Sequence, residues 1–436
     1  MGVMSKKFYL DDFKDKLNRG FLRPSNYSFG YIDEAKYNQF KKQQKWKESN
    51  IKDTFDELRQ RMSRKYFSNV MLAQTCALDY AALQFPAYSM LIIEDLTDDW
   101  LATVDFHKKF SRDHSLHQPL TAYVAASLLG FGNSEESLSV PVGNLLDFCV
   151  NSIFSKEAEY LFEMAKRFGF SDKLLENTSL AKEFWKDLFY RTVVLSALFH
   201  DMGYPWQYVD RIGADLRNRV PLLHPSDSVV SSIVDNFQER MVFLPLRNYQ
   251  TSPVNVSVYD KQFLLEQTHA ALETHGFPGA IAFLSLNDAI RKKPVADPAA
   301  KIQEFTIEWA AMGIFMHDME KKHKKLFPKL RVNFAQDPLS AIIALADYLE
   351  EFNRPKVSFV SKYSESRVKY FSDCNVVEIN IDSNGVFNIN MKYPKEASKA
   401  IAAVFKSEET EDYFNPTNGY VDLSPLGVKK VVYSQS

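Results

Sequence analysis

The apolar residues of this chain recur at helical spacing from about residue 35 to residue 310, and this feature constrains the fold more than any other. Phe184, Leu188 and Leu195, for example, follow one another at steps of four and seven residues, which places them on one face of a helix. Breaks such as Pro141–Gly143 separate the periodic stretches. The pattern predicts a mainly α fold, built as a bundle of long helices with irregular topology.

The pattern of residue types changes after Pro355. Short runs that are β-branched, or that alternate between apolar and polar residues, replace the helical spacing there. Residues 382–385, Asp-Ser-Asn-Gly, have the composition of a hairpin turn between two such runs. Strands are therefore predicted at residues 357–360, 376–381, 386–391 and 430–433, and a helix at residues 395–405.

These patterns divide the chain into three parts. Residues 1–100 are predicted to form an N-terminal helical extension, residues 101–355 the main helical domain, and residues 356–436 a small C-terminal α+β module. Both extensions are long enough to carry a subunit interface or an allosteric site. We therefore expect a homo-oligomer, with a nucleotide or a protein partner as the candidate regulator.

Charge and composition exclude several classes of protein. The 53 basic and 55 acidic residues give a net charge of −2, so nothing draws the whole chain to nucleic acid or anionic lipid. The three cysteines are far apart and predict neither a disulfide framework nor a zinc ribbon. The sequence also lacks a signal-peptide core and any run of about 18 apolar residues. We expect a soluble cytoplasmic protein with no membrane or nucleic-acid partner.

The placement of the nine histidines carries most of the functional information. His200 and Asp201 follow the apolar run 193–199, and Gly203 and Pro205 would end the helix directly after them. Adjacent helical residues point about 100° apart, yet both side chains can turn onto one ion at the end of a helix. An isolated pair of this kind is more often a hydrogen-bonded core contact, so its meaning depends on what else the chain supplies.

Further candidate ligands lie on separate helical stretches. His114 and His117 lead into the apolar run 120–129, and Asp347 lies inside another apolar helical stretch. An acid in such a place is either a metal ligand or a salt-bridge or capping residue. The sequence therefore offers a histidine, a His-Asp pair and an aspartate on three successive helices.

This order of ligands resembles the HD-domain superfamily of metal-dependent phosphohydrolases. Residues 198–205, Leu-Phe-His-Asp-Met-Gly-Tyr-Pro, are similar to the family's Leu-Leu-His-Asp-Ile-Gly pattern, and residues 337–355 look like its final ligand helix. The resemblance covers about residues 110–355 and implies an HD-domain helical bundle. It also implies an enzyme that uses a divalent metal to hydrolyse phosphoester or phosphoanhydride bonds.

In family terms, the resemblance implies that His117, His200, Asp201 and Asp347 hold the first metal, and that Asp201 is also catalytic. His117 is preferred to His114 because the apolar register that follows it suits the family's first ligand helix. His114 stays open as a ligand, or as a residue beside the ligands that contacts the substrate.

Two more histidines match an expanded, two-metal site. His275 begins the segment His-Gly-Phe-Pro-Gly-Ala, similar to a motif of two-metal HD enzymes, and His317 lies in a buried-looking helix before Asp347. The resemblance then makes Asp201 the bridging carboxylate and gives His275 a catalytic role, with His269 as an outer partner or general acid. The alternatives are a surface histidine at a helix end for His275 and a hydrogen-bonded core histidine for His317.

The ligand types suit manganese, magnesium, iron, nickel or zinc, with one or two ions per subunit. Such an ion lowers the pKa of its bound water from about 15.7 toward 7. A basic stretch after His317 is either a solvated helix face or a positive rim for the phosphates of a nucleotide. The candidate substrate-binding residues are Arg112, His114, Tyr204, Lys321, Lys322 and Arg354.

The resemblance favours a nucleotide phosphohydrolase, foremost one that hydrolyses a (deoxy)nucleoside triphosphate, and antiviral defence is a role of some bacterial members. The Gly-His-Pro-Pro-Phe of triphosphohydrolases is replaced here by Gly203-Tyr204-Pro205-Trp206. The extra His275 and His317 look more like a two-metal phosphodiesterase of cyclic nucleotides or dinucleotides. A di-iron oxygenase on the same scaffold is a third candidate, and a nucleotide-sensing protein with a structural metal is a fourth.

Overall fold

The structure is a computed structural model that describes several segments of the chain. Within them the chain is mainly helical, with a small β part. The described residues are 6–9, 114–204, 227–237, 239–245, 261–272, 274–290, 298–319, 331–350, 352–358, 368–373, 376–392, 413–415 and 419–435.

The chain divides into two compact units, residues 1–10 with 121–436 and residues 11–120. In the second unit the structure describes residues 114–120, the first turns of a helix that runs unbroken to Leu128. The other described residues belong to the first unit. The boundaries after residues 100 and 355 stay predictions.

Side chains cap the N-termini of some of the described helices. Thr178 accepts a hydrogen bond from the Ala181 N–H at 3.2 Å, and Asp337 accepts one from the Ser340 N–H at 3.1 Å, each satisfying a donor that the first helical turn leaves free. The helices are α1 His114–Leu128, α2 Leu145–Ile153, α3 Glu159–Arg167, α4 Asp172–Leu175, α5 Ser179–Phe199, α6 Asp227–Phe237, α7 Lys261–Ala271, α8 Gly276–Ile290, α9 Pro298–Met316 and α10 Pro338–Leu349.

Aromatic rings fill the space between α5 and α9. The ring centroid of Trp185 in α5 lies 5.9 Å from that of Trp309 and 5.8 Å from that of Phe305, both in α9. Helix α9 also packs against α8 and α10. The C-terminal ends of α5 and α9 meet, because the rings of the residues that follow them, His200 and His317, are 4.8 Å apart.

The β part lies mostly in the C-terminal region. The four-stranded sheet has the order β1 (Lys6–Tyr9), β7 (Val376–Ile381), β8 (Val386–Lys392) and β10 (Lys430–Gln435). Strand β8 is antiparallel to β7 and parallel to β10. Strand β9 (Val421–Asp422) pairs in parallel with β4 (Val332–Asn333), which precedes α10. The strands are β1 Lys6–Tyr9, β2 Ser139–Val140, β3 Gly143–Asn144, β4 Val332–Asn333, β5 Phe352–Ser358, β6 Val368–Asp373, β7 Val376–Ile381, β8 Val386–Lys392, β9 Val421–Asp422 and β10 Lys430–Gln435.

The hairpin predicted around residues 382–385 is confirmed as the β7–β8 turn. The Asp382 carboxylate accepts hydrogen bonds from the N–H groups of Asn384 and Val386 at 2.9 and 2.8 Å, and Gly385 adopts a φ of +80° that suits glycine. The strand predicted at residues 430–433 is confirmed as β10. The sequence thus marks this sheet through its turn chemistry and its β-branched runs.

Other predictions have different outcomes. Strand β5 begins at Phe352 rather than Val357 and contains Pro355, at an irregularity of its two-stranded pairing with β6, where a residue without an N–H is tolerated. The predicted helix at residues 395–405 and the periodic stretch before residue 114 lie outside the described residues. Among the described helices, none has the length and apolar character needed to cross a bilayer.

Candidate metal centre

His200 and Asp201 lie where α5 ends. The Nδ1 atom of His200 is 2.7 Å from the carbonyl oxygen of Ala197, and because a carbonyl can only accept, Nδ1 carries the proton. The other ring nitrogen, Nε2, therefore presents a lone pair when the ring is neutral. Both side chains are buried. The end of the helix thus fixes the tautomer and the direction of its histidine.

His317 repeats this arrangement at the end of α9. Its Nδ1 atom is 2.6 Å from the carbonyl oxygen of Ile314, again three residues earlier in the chain. The ring is buried and turns its Nε2 atom toward Asp201, at 3.4 Å from Oδ1. Two helix ends therefore supply two histidines with the same tautomer.

His275 directly precedes α8 and is held by Asp318. The Oδ2 atom of Asp318 accepts from the backbone N–H of His275 at 2.8 Å and from its ring Nδ1 at 2.7 Å. A carboxylate on the remote nitrogen of an imidazole orients the ring and increases the basicity of the other nitrogen, as in many metal sites. Asp318 was not predicted from the sequence, although it follows His317 and forms a second His-Asp pair.

The three Nε2 atoms converge on one oxygen of Asp201. The Oδ1 atom lies 3.0 Å from Nε2 of His275 and 3.4 Å from Nε2 of both His200 and His317. The Nε2 atoms of His275 and His317 are only 2.9 Å apart. Because both rings use Nδ1 as a donor, two lone pairs would face each other here unless a proton or a cation lies between them. This donor set fits a divalent ion.

A second group of ligand atoms adjoins this one. Asp347 of α10 places Oδ1 3.7 Å from Nε2 of His200, and its side chain is partly exposed. Ligand atoms of His200, Asp201 and His317 all lie within 4.8 Å of one another. The structure thus brings together His200, Asp201, His275, His317 and Asp347. His117 belongs to the other compact unit, and its place at the centre stays a prediction.

Electrostatics favour positive charge at this centre. Burial lowers the pKa of His275, but the charges and hydrogen bonds of Asp318 and Asp201 outweigh it and raise the pKa to about 9. The pKa of His200 is also raised, because Asp201 and Asp347 outweigh the effect of burial. In the metal-free protein a proton therefore occupies the place where a metal would bind, and the two compete for the same nitrogen atoms.

Glycines allow the ligand-bearing segments to approach one another closely. A Cβ atom on Gly203, two residues after Asp201, would lie 1.8 Å from the carbonyl oxygen of His275. A Cβ atom on Gly276 would lie 2.6 Å from the carbonyl oxygen of Phe315 in α9. Real Cβ atoms do not come this close to backbone, so any other residue at either position would push these segments apart. The glycines thus help to set the distances between the ligands.

Tyr204 covers one face of His275. The two rings are stacked, with centroids 3.9 Å apart and an interplanar angle of 20°, and Tyr204 is half-buried. The ring therefore lies beside the candidate metal ligands with part of its surface open to solvent. This position agrees with the prediction that Tyr204 lies at the site, and its role in substrate binding stays a prediction.

The other predicted site residues are exposed or lie wholly or partly outside the described part of the chain. His269 is an exposed residue of α7, whereas the histidines that converge on Asp201 are buried. His114 begins α1 and Arg354 lies in β5, but their side chains are outside the described part of the structure. Arg112, Lys321 and Lys322 lie outside the described residues altogether.

The centre is defined by the geometry of its side chains. No family profile, no curated protein and no solved structure matches the chain. Imidazole nitrogens and carboxylate oxygens together bind borderline and hard divalent ions such as zinc, iron, manganese and nickel. The donor atoms of these residues are therefore of the kinds that could hold such ions.

Proposed function

We propose that this chain is a metal-dependent phosphohydrolase of the HD type that acts on nucleotides, foremost on a (deoxy)nucleoside triphosphate. One observation carries the proposal: Nε2 atoms of His200, His275 and His317 converge on a single oxygen of Asp201. Core histidines that only satisfy hydrogen bonds have no reason to direct three Nε2 atoms at one carboxylate oxygen, whereas residues that share a metal ion do.

Each residue has a distinct task in this proposal. His117, His200, Asp201 and Asp347 hold one ion, and Asp201, His275 and His317 hold a second. Ions bound there would supply an activated water and polarise the phosphoryl oxygens of the substrate. The hydrogen bonds to the carbonyl oxygens of Ala197 and Ile314 keep the Nδ1 protons of His200 and His317 away from the centre.

The proposed substrate contacts come from the sequence and from the position of the Tyr204 ring. The half-buried ring of Tyr204 offers an apolar contact for the sugar or base of a nucleotide beside the ligands. The basic residues Arg112, Lys321, Lys322 and Arg354 are proposed partners of its phosphates. We further propose a cytoplasmic homo-oligomer, controlled by a nucleotide or a protein, with a role in antiviral defence.

A two-metal phosphodiesterase of cyclic nucleotides or dinucleotides is the second candidate. The observation that favours it is the inclusion of His275 and His317, which extends the four-ligand set of His117, His200, Asp201 and Asp347 to a set for two ions. The two candidates share the same centre and differ in the bond that is cleaved, so product analysis separates them.

The test is hydrolysis of a panel of dNTPs, NTPs, cyclic nucleotides and dinucleotides with Mn²⁺, Mg²⁺ or Co²⁺. Asp201→Asn removes the shared carboxylate charge, and Asp172→Asn makes the same chemical change at an exposed residue of α4. Release of triphosphate or pyrophosphate by the wild type and Asp172→Asn, but not by Asp201→Asn, supports the triphosphohydrolase. Opening of a cyclic nucleotide or dinucleotide supports the phosphodiesterase. No turnover of any nucleotide, with iron in the purified protein, would contradict both and favour an oxygenase.

A further inference from the structure

A C-terminal segment packs against the helix that carries Asp347. The Tyr413 O–H donates to the carbonyl oxygen of Ala344, at 3.2 Å. The ring of Tyr348, the residue after Asp347, stacks on that of Tyr413 at 5.0 Å and meets that of Phe414 edge-on at 4.7 Å. This segment, residues 413–415 and 419–422, is called the tyrosine clamp below.

The tyrosine clamp also reaches the end of α9. Tyr420 is fully buried, and its O–H donates to the carbonyl oxygen of Met316, a residue 104 positions earlier in the chain. Met316 is the last residue of α9, and the carbonyls of a last helical turn lack a partner within their helix. The N–H of Met319 also approaches this oxygen, but at 3.5 Å. The clamp therefore supplies the main donor at the carbonyl that precedes His317.

Several hydrogen bonds fix the backbone of the clamp. Arg331 donates through Nε to the carbonyl oxygen of Gly419 at 2.7 Å and through Nη2 to that of Asn415 at 3.1 Å. The Val332 N–H donates to the carbonyl oxygen of Tyr420 at 2.8 Å, where β4 and β9 pair. Because its backbone is held on this side, the hydroxyl group of Tyr420 has a defined position.

We propose that Tyr420 is a positioning residue for the second metal ion and acts through the turn formed by Met316, His317 and Asp318. This inference rests on the proposed metal centre. The turn supplies one ligand, His317, and also the carboxylate of Asp318 that holds the other histidine, His275. A displacement of the turn therefore moves two of the three ligands of the second ion together, whereas His200 and Asp347 belong to other segments, at the end of α5 and in α10.

A purely structural role for Tyr420 makes a different prediction. Loss of a buried hydrogen bond lowers the free energy of unfolding wherever it lies. It leaves the affinities of the folded protein for metal ions unchanged. A positioning role changes the affinity for the second ion and spares the first, so the ratio of the two affinities distinguishes the roles.

The experiment titrates the metal-free full-length chain with Mn²⁺ by calorimetry, in the wild type and in Tyr420→Phe. Tyr433→Phe is the matched control, because its O–H lies 3.6 Å from the Met391 Sδ within the C-terminal sheet. We expect Tyr420→Phe to weaken the second ion about three- to tenfold, less than the 10–100-fold typical of residues that contact a ligand directly. The first ion keeps its affinity, and Tyr433→Phe matches the wild type for both.

Each other outcome has one meaning. Equal affinities in Tyr420→Phe and the wild type, or equal weakening of both ions, overturn the positioning role and leave the proposed function standing. A wild type that binds no ion overturns the proposed function itself. If Tyr420→Phe does not fold, as judged by circular dichroism, Arg331→Lys replaces it. That variant keeps the hydroxyl group but loses the forked hydrogen bonds to the clamp, and the second ion must again weaken more than the first.

Discussion

Asp318 and His275 are joined twice by a single atom. The Oδ2 oxygen of Asp318 accepts from the backbone N–H of His275 at 2.8 Å and from its ring Nδ1 at 2.7 Å. The first contact fixes the position of the residue and the second fixes the rotation of its ring. Together they determine where the Nε2 atom of His275 lies relative to Asp201. Asp318, which makes both contacts, directly follows His317, another candidate ligand.

Asp318→Asn should therefore weaken binding of the second ion. The amide is neutral, so it orients the ring less firmly and no longer increases the basicity of Nε2. Loss of a carboxylate that orients a ligand costs about 10–100-fold in metal affinity. Calorimetric titration with Mn²⁺ measures the effect, and Asp235→Asn, an exposed acid of α6, is the control. Unchanged affinity for both ions would show that Asp318 does not act on the centre.

The stability of the metal-free protein should fall as the pH rises from about 6.5 to 9. The folded-state pKa of His275 is raised to about 9 from an ordinary value of 6.5. Proton binding therefore stabilises the folded state fully below pH 6.5, and this contribution is lost as the pH rises through 9. Its size is on the order of 2–3 kcal/mol. Urea unfolding in EDTA at several pH values measures it, and His275→Gln should flatten the profile in this window.

Metal binding should have the opposite pH dependence. Because a ligand histidine must release its proton before the metal can bind, affinity for the second ion rises with pH up to about 9, the pKa of His275. Binding should also release protons, so the observed enthalpy will depend on the ionisation enthalpy of the buffer. Titrations at pH 7 in two buffers test this. Equal enthalpies in both would mean that no proton leaves when the ion binds.

Gly203→Ala should disrupt the site through contact with the backbone. Its Cβ atom would lie 1.8 Å from the carbonyl oxygen of His275, so the segments that carry Asp201 and His275 must separate. We expect a loss of about 3 kcal/mol or more in unfolding free energy and weaker binding of the second ion. Gly143→Ala is the comparison. A Cβ atom at this position meets nothing within 4 Å, but the residue has a φ of +135°. It should cost stability through strain alone and leave metal binding intact.

The sequence points to the candidate ligands more directly than to the residues that support them. Histidines and aspartates at helix ends are recognisable because their order and spacing along the chain are local features, and the structure brings His200, Asp201, His275, His317 and Asp347 together. Asp318 lies beside a predicted ligand, but its contact with His275 depends on how two distant segments pack. The hydrogen bond from Tyr420 to Met316 joins residues 104 positions apart in the chain, and no local pattern predicts it. His269 lies near His275 in the sequence, but its side chain is exposed, and its role as an outer partner or general acid stays a prediction.

Arg240 and Glu308 provide the last prediction, on stability away from the ligands. Arg240 donates through Nε to the buried Glu308 and through Nη1 to Asp288 at 2.8 Å, and Glu308 also accepts from the Met241 N–H at 3.3 Å. Burial raises the pKa of Glu308 even though Arg240 lowers it. Arg240→Met therefore leaves a buried acid without its cation, at a cost of about 3–5 kcal/mol.

The cost in Arg240→Met should grow as the pH rises above the ordinary carboxyl range, because a raised pKa means that deprotonation destabilises the folded state. Adding Glu308→Gln removes the charge and should restore much of the stability, since the amide can still meet the Met241 N–H. Urea unfolding of both variants measures the difference. Glu308 lies more than two helical turns before His317 in α9, so both variants should bind metal as the wild type does. A double variant no more stable than Arg240→Met would show that the lost contacts of Arg240, and not the unpaired charge, cause the effect.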